Sequence, residues 1–126
     1  YIYVLFVSSV SQHARARVVE AIEGTESVLL PCSYSGQISE EPLIIWTSGD
    51  FIPTSVHRRR GEEDDLRDQN QHFRGRTSIK PDALDTTDFS LTLKKPQMSD
   101  RGNYTCSISN GREEFILTTI HLKIKG

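Results

Sequence analysis

Only two cysteines, one tryptophan and one methionine occur among the 126 residues. Two thiols cannot build a thiolate cluster, and the four histidines, His13, His57, His72 and His121, lie on separate segments without His-x-x-x-His spacing. No metal site and no metal cofactor is therefore expected. An excess of positive charge is also missing: the formal net charge is -2, whereas surfaces that neutralise phosphates concentrate Lys and Arg, so nucleic acid is excluded as a partner. No Gly-x-Ser-x-Gly elbow supplies a nucleophile and no glycine-rich loop cradles a phosphate. Neither catalysis nor a small-molecule substrate is expected, and no cofactor of any kind. Internal repeats, low-complexity segments and helical periodicity are lacking as well. The longest apolar run, Ile2 to Val10, is far short of the roughly twenty residues that cross a bilayer. Membrane attachment is expected only through segments outside this chain.

What is present suits one domain, since a chain of this length builds one core and not two. Tyr1 to Ala16 differs from the rest. Its apolar run ends in Ala14-Arg15-Ala16, small residues at the two positions a signal peptidase reads, so residues 1–16 are read as the remnant of a secretory signal peptide. The alternative is an N-terminal edge strand. Residues 17–126 form the domain. From Val18 onward apolar residues recur with period two, interrupted by Gly, Pro, Asp or Ser, which is the pattern of a sandwich of short antiparallel strands. Val28, Leu30 and Cys32 face one way; so do Phe89, Leu91 and Leu93, Ile44 and Trp46, Tyr104, Cys106 and Ile108, and Ile120, Leu122 and Ile124. Between Asp50 and Lys80 the pattern fades around Arg58-Arg59-Arg60 and Glu62-Glu63-Asp64-Asp65, read as a solvated strand-and-loop region whose charges partly cancel.

Cys32 and Cys106 both occupy inward positions, 74 residues apart. That separation suits a bridge across the core and not a redox pair. Such a bond persists outside the reducing cytosol, so the domain is expected to be extracellular.

Cys32, Trp46 fourteen positions on, and Asp100-Arg101-Gly102-Asn103-Tyr104-Thr105-Cys106 together resemble the immunoglobulin fold in its variable-type (V-set) form, an all-β sandwich of two antiparallel sheets joined by one disulfide. The resemblance runs from Val18 to Ile124. It implies that Trp46 packs on the disulfide, that Tyr104 turns its hydroxyl back to the backbone as a tyrosine corner, and that Arg76 pairs with Asp100 at the base of the sandwich. It also implies two extra strands around Phe51 to Leu66. At finer grain, "GTESVLLPCSY", "FRGRTSI" and "SDRGNYTC" resemble the butyrophilin-like and costimulatory-ligand group that includes myelin oligodendrocyte glycoprotein. The Phe-Gly-x-Gly bulge of rearranged antigen receptors is absent from Phe115 to Ile120, which disfavours that branch.

With Trp46 and Cys106 inside, alternation turns Leu43, Ile45 and Thr47 outward on one strand and Thr105, Ser107 and Ser109 on the next. With Ile120 and Leu122 inside, it turns Phe115, Leu117, Thr119 and His121 outward on the last strand. Leu43, Ile45, Phe115 and Leu117 then merge into one apolar patch, unless a bulge shifts the last strand by one residue and buries Phe115 and Leu117. The resemblance implies that this front sheet binds another protein. The expected role is that of an extracellular recognition domain in a cell-surface or secreted immune-regulatory receptor or ligand, whose partner is another cell-surface protein. The alternative is a homophilic adhesion module that meets a second copy of itself through the same face. Asn103-Tyr104-Thr105 is a glycosylation sequon whose Asn103 points outward once Tyr104 is buried.

Overall fold

The structure is a computed structural model that describes residues 17–126; the signal-peptide reading of residues 1–16 lies outside them. Among the described residues nine strands form two sheets. The front sheet runs β1 (Arg17–Ile22), β9 (Glu114–Lys125), β8 (Gly102–Ser109), β3 (Leu43–Thr47), β4 (Ser55–Arg60) and β5 (Glu63–Asp64). The back sheet runs β2 (Ser27–Leu30), β7 (Leu91–Lys94) and β6 (Thr77–Ile79). All neighbours are antiparallel except β1, which pairs parallel with β9. One helical turn, α1 (Ala83–Thr86), links β6 to β7. Among these residues no helix is long and apolar enough to cross a membrane.

Alternation builds the core. Leu30, Ile44, Trp46, Phe89, Leu91, Leu93, Tyr104, Cys106, Ile120 and Leu122 are buried between the sheets, and every second residue on their strands turns away. The Cys32–Cys106 disulfide crosses this layer. Pro31 ends β2 just before Cys32, whose N–H then donates to Ser90 Oγ at 3.0 Å instead of to a ladder partner. Trp46 lies fully buried and its indole N–H donates to the Phe89 carbonyl at 2.9 Å. Burying an indole costs least when that N–H is satisfied.

At the base, Tyr104 donates its hydroxyl to the Asp100 carbonyl at 2.6 Å. The Asp100 side chain is fully buried and accepts from Arg76 at 2.5 and 3.2 Å, from the Gln97 N–H at 2.8 Å and from the His72 ring at 2.6 Å. Burial alone would raise the Asp100 pKa, but those donors outweigh it and hold the carboxyl below its usual range. Gly102 turns into β8 with φ +144°, and a Cβ there would run into the Asp50 carboxylate, which accepts the Asn103 N–H at 2.8 Å.

Two expectations need correction. The ladder between β8 and β9 slips between Cys106 and Ser107: Cys106 pairs with Thr118, but Ser107 pairs with Ile116. Leu117 is the extra residue of a bulge and packs against the core. Upstream of it the faces exchange, so Phe115 sits opposite Ile108 and lines a small recess with Tyr34, Gln37 and Ile108. Phe115 and Leu117 therefore leave the front face, and Ile116 takes their place. The second correction concerns the charged stretch, which is not uniformly solvated. His57 and Arg59 are buried on the inner side of β4, while Arg60 is exposed.

Candidate protein-binding face

In an antiparallel ladder, residues directly opposite each other share a face. Register alone therefore resolves the outer surface of the front sheet into rows. One row reads Arg60, Leu43, Ser109, Glu114 across β4, β3, β8 and β9; the next reads Arg58, Ile45, Ser107, Ile116. Below them Thr47, Thr105 and Thr119 align, and then Asn103, His121 and Val18 across β8, β9 and β1.

The chemistry of the rows is asymmetric. Ile116 is 65% exposed, and its weight comes from sharing a row with Ile45, since a single exposed apolar side chain is ordinary. Ile45 is half-buried. Ser107 lies between these two larger side chains and only 3% of it reaches solvent, so it forms the floor of a shallow trough. Leu43 faces the same way and is 8% exposed. Arg58 and Arg60 flank the rows on the β4 side, with Glu114 at the opposite edge. The face is thus an apolar, hydroxyl-bearing centre with Arg58 and Arg60 on one side, where exposed Glu63 of β5 pairs opposite Arg60 at the sheet edge, and Glu114 on the other. Of the residues read from sequence as the front face, Leu43, Ile45, Thr47, Thr105 and Ser107 come together here; Phe115 and Leu117 do not. Ile116, Arg58, Arg60 and Glu114 were missed. Period two read through "HRRR" separates Arg58 and Arg60 from His57 and Arg59, but nothing in "FILTT" marks the bulge.

The β4–β5 edge is held to the back sheet by polar groups. Arg59 donates to the Lys80 and Ile79 carbonyls at 2.7 and 2.8 Å and to Asp64 at 2.9 Å. His57 bridges Asp64 through Nε2 at 2.9 Å and Thr77 Oγ1 through Nδ1 at 2.8 Å. Gln69 donates to the same Thr77 oxygen at 3.0 Å. Burial is the largest influence on the His57 pKa and lowers it, the hydrogen bond and charge of Asp64 raise it, Arg59 lowers it, and the net shift is downward. The neutral ring fits both partners, with Nε2–H toward the carboxylate and Nδ1 accepting the hydroxyl proton. Among the described residues no group of three or more His, Cys, Asp or Glu side chains is placed to hold a metal ion.

Comparison with known proteins agrees with this architecture. The family described as "Immunoglobulin V-set domain" matches residues 15–125. The chain belongs to the immunoglobulin V-set family. This V-set domain is 33% identical over 87 residues to the V-set domain-containing T-cell activation inhibitor 1 of Rattus norvegicus, covering 69% of this chain and 31% of the relative. It is 33% identical over 89 residues to the myelin-oligodendrocyte glycoprotein of Homo sapiens, covering 70% of this chain and 35% of the relative. Among solved structures, the human B7-H4 IgV-like domain superposes with a TM-score of 0.74 at 26% identity, covering 90% of this chain and 96% of that one. The chain spans about a third of the length of these two curated relatives.

Proposed function

We propose that this V-set domain is the extracellular protein-recognition module of a cell-surface immune-regulatory protein, and that it binds another protein through the Ile45–Ser107–Ile116 row and its neighbours. The outward row in which exposed Ile116 and half-buried Ile45 flank Ser107, with Leu43 turned to the same side, is the observation that carries the reading. Similarity to a T-cell activation inhibitor supports it. A flat face of this kind gives up about 800 Å² to a partner. Arg58 and Arg60, with Glu63 beyond Arg60 at the sheet edge, and Glu114 on the far side call for a partner that sets carboxylates over the arginines and a basic group over Glu114. The test is a screen of the purified domain against arrayed cell-surface ectodomains, repeated with Ile45→Asp and Ile116→Asp. Each variant is expected to weaken the binding found by at least about 2 kcal/mol, some thirtyfold. Undiminished binding by both variants would overturn the assignment of the face.

One observation favours a second reading, homophilic contact: the rows are self-complementary. A two-fold axis parallel to the strands sets Arg60 over Glu114 of a second copy and Ile45 over its Ser107, large against small. Sedimentation then shows a dimer that Arg60→Glu or Glu114→Arg dissociates and that the double exchange restores. A monomer at all accessible concentrations rejects this reading and leaves the first intact.

A further inference from the structure

We infer that Asn103 carries an N-linked glycan, and that this glycan caps the lower end of the front sheet and confines a partner to the rows above it. Asn103 and Thr105 lie two apart on β8, so both side chains leave the same outer face, while Tyr104 between them is buried and anchored through its hydroxyl. The sequon is therefore split across the sheet, with Asn103 and Thr105 outside and the middle residue inside.

The surroundings of Asn103 separate its backbone from its carboxamide. The backbone is fully engaged: its N–H donates to Asp50 and its carbonyl accepts from Ser48 Oγ at 2.7 Å. The side chain is exposed, and its Oδ1 faces the His121 ring at 2.9 Å. Among the described residues no hydrogen bond occupies Nδ2. A substituent on Nδ2 thus enters solvent without breaking a contact that holds the fold. The buried Cys32–Cys106 bond indicates an oxidising compartment, where the transfer takes place.

The donor is a polyprenyl-pyrophosphate-linked oligosaccharide. The Asn103 amide nitrogen forms a bond to the anomeric carbon of the reducing-end sugar as the bond from that carbon to the pyrophosphate oxygen breaks. The amide gives up one proton, the lipid pyrophosphate departs, and nothing is oxidised or reduced.

Position gives the modification its consequence. Asn103 precedes Ser107 by four residues of strand, about 13 Å at the usual rise. A glycan rooted there covers its row-mates His121 and exposed Val18. The Arg58–Ile116 and Arg60–Glu114 rows, toward the loop of residues 110–113, stay open.

The experiment is secretion of the chain from mammalian cells behind a cleavable leader, followed by intact mass and peptide mapping before and after peptide N-glycosidase. The expected result is a mass that falls by one glycan, with Asn103 read as an aspartate in the mapped peptide after the enzyme. Asn103→Gln and Thr105→Ala abolish the shift, and Thr105→Ser retains it. Reading the map on reduced, denatured protein from cells and medium keeps the result independent of whether a variant folds. Secreted wild-type protein with an unmodified Asn103 overturns the inference. That outcome leaves the proposed binding face untouched, because the Ile45 and Ile116 variants are read by binding and not by mass.

Discussion

Asp100 shows how much one side chain carries in a small sandwich. It has no solvent access, and Arg76, His72 and the Gln97 N–H all converge on it. Asp100→Ala leaves the Arg76 guanidinium, itself only 15% exposed, without its carboxylate. Removing one member of such a pair costs about 3 to 5 kcal/mol, to be measured by urea unfolding. Asp100→Asn keeps acceptors for some of those donors and is expected to cost less. The depressed Asp100 pKa contributes stability that is complete above the ordinary value of 3.8 and is lost as pH falls below it. His57 acts in a different window. Its pKa is held below the ordinary 6.5, so on acidification the unfolded chain takes up the proton first, and stability declines as pH drops below 6.5. Melting temperatures followed from pH 8 to pH 5 are expected to fall less steeply in His57→Gln than in the wild type; parallel curves would remove His57 as the cause.

At the scale of strands, two devices set what the front sheet presents. Arg59 ties β4 and β5 to the end of β6 through two carbonyls and Asp64. Arg59→Ala strands those buried carbonyls and is expected to cost about 2 to 3 kcal/mol. Amide exchange should quicken across β5 and β6 before β3 and β8. Arg59→Lys does not rescue it, because a single ammonium cannot reproduce the guanidinium fork. The bulge at Leu117 is the other device. Ile116→Asp is expected to shift stability by no more than about 0.5 kcal/mol, whereas Leu117→Asp introduces an unpaired charge against the core and costs several times as much. Equal costs in denaturant titration would mean that the ladder does not slip where described. These two places also mark where alternation stops being readable. Tyr104, Cys106 and Ile108 alternate with polar residues, so their parity is unambiguous and their burial follows, and Trp46 takes its parity from pairing opposite Cys106. Phe115-Ile116-Leu117 are three apolar residues in a row, and no periodicity distinguishes a regular strand from one with an extra residue. His57 and Arg59 were hidden for the opposite reason: a polar side chain signals solvent until the carbonyls and carboxylate that receive it are brought alongside by the fold.

Across the whole molecule the sheets are joined by one covalent bond. Closing a loop of 74 residues by the Cys32–Cys106 disulfide is worth about 4 to 5 kcal/mol in the chain-entropy picture. That is a large part of the roughly 5 to 15 kcal/mol that holds any domain of this size together. Cys32→Ala with Cys106→Ala is expected to lower the unfolding free energy by about 4 kcal/mol, and the same loss should appear when the wild type unfolds under reductant. A difference below about 1 kcal/mol would show that the packing around Trp46 suffices by itself.

The parallel seam between β1 and β9 brings Ile22 beside Lys125, so the chain's last residues leave from the end of the sandwich opposite the loop of residues 110–113. A biotin or sensor-chip handle joined after Gly126 therefore lifts Ile45 and Ile116 away from the support and offers them to an analyte. Random coupling through lysine amines has no such directional bias, and it attaches some molecules in orientations that turn the same surface toward the matrix.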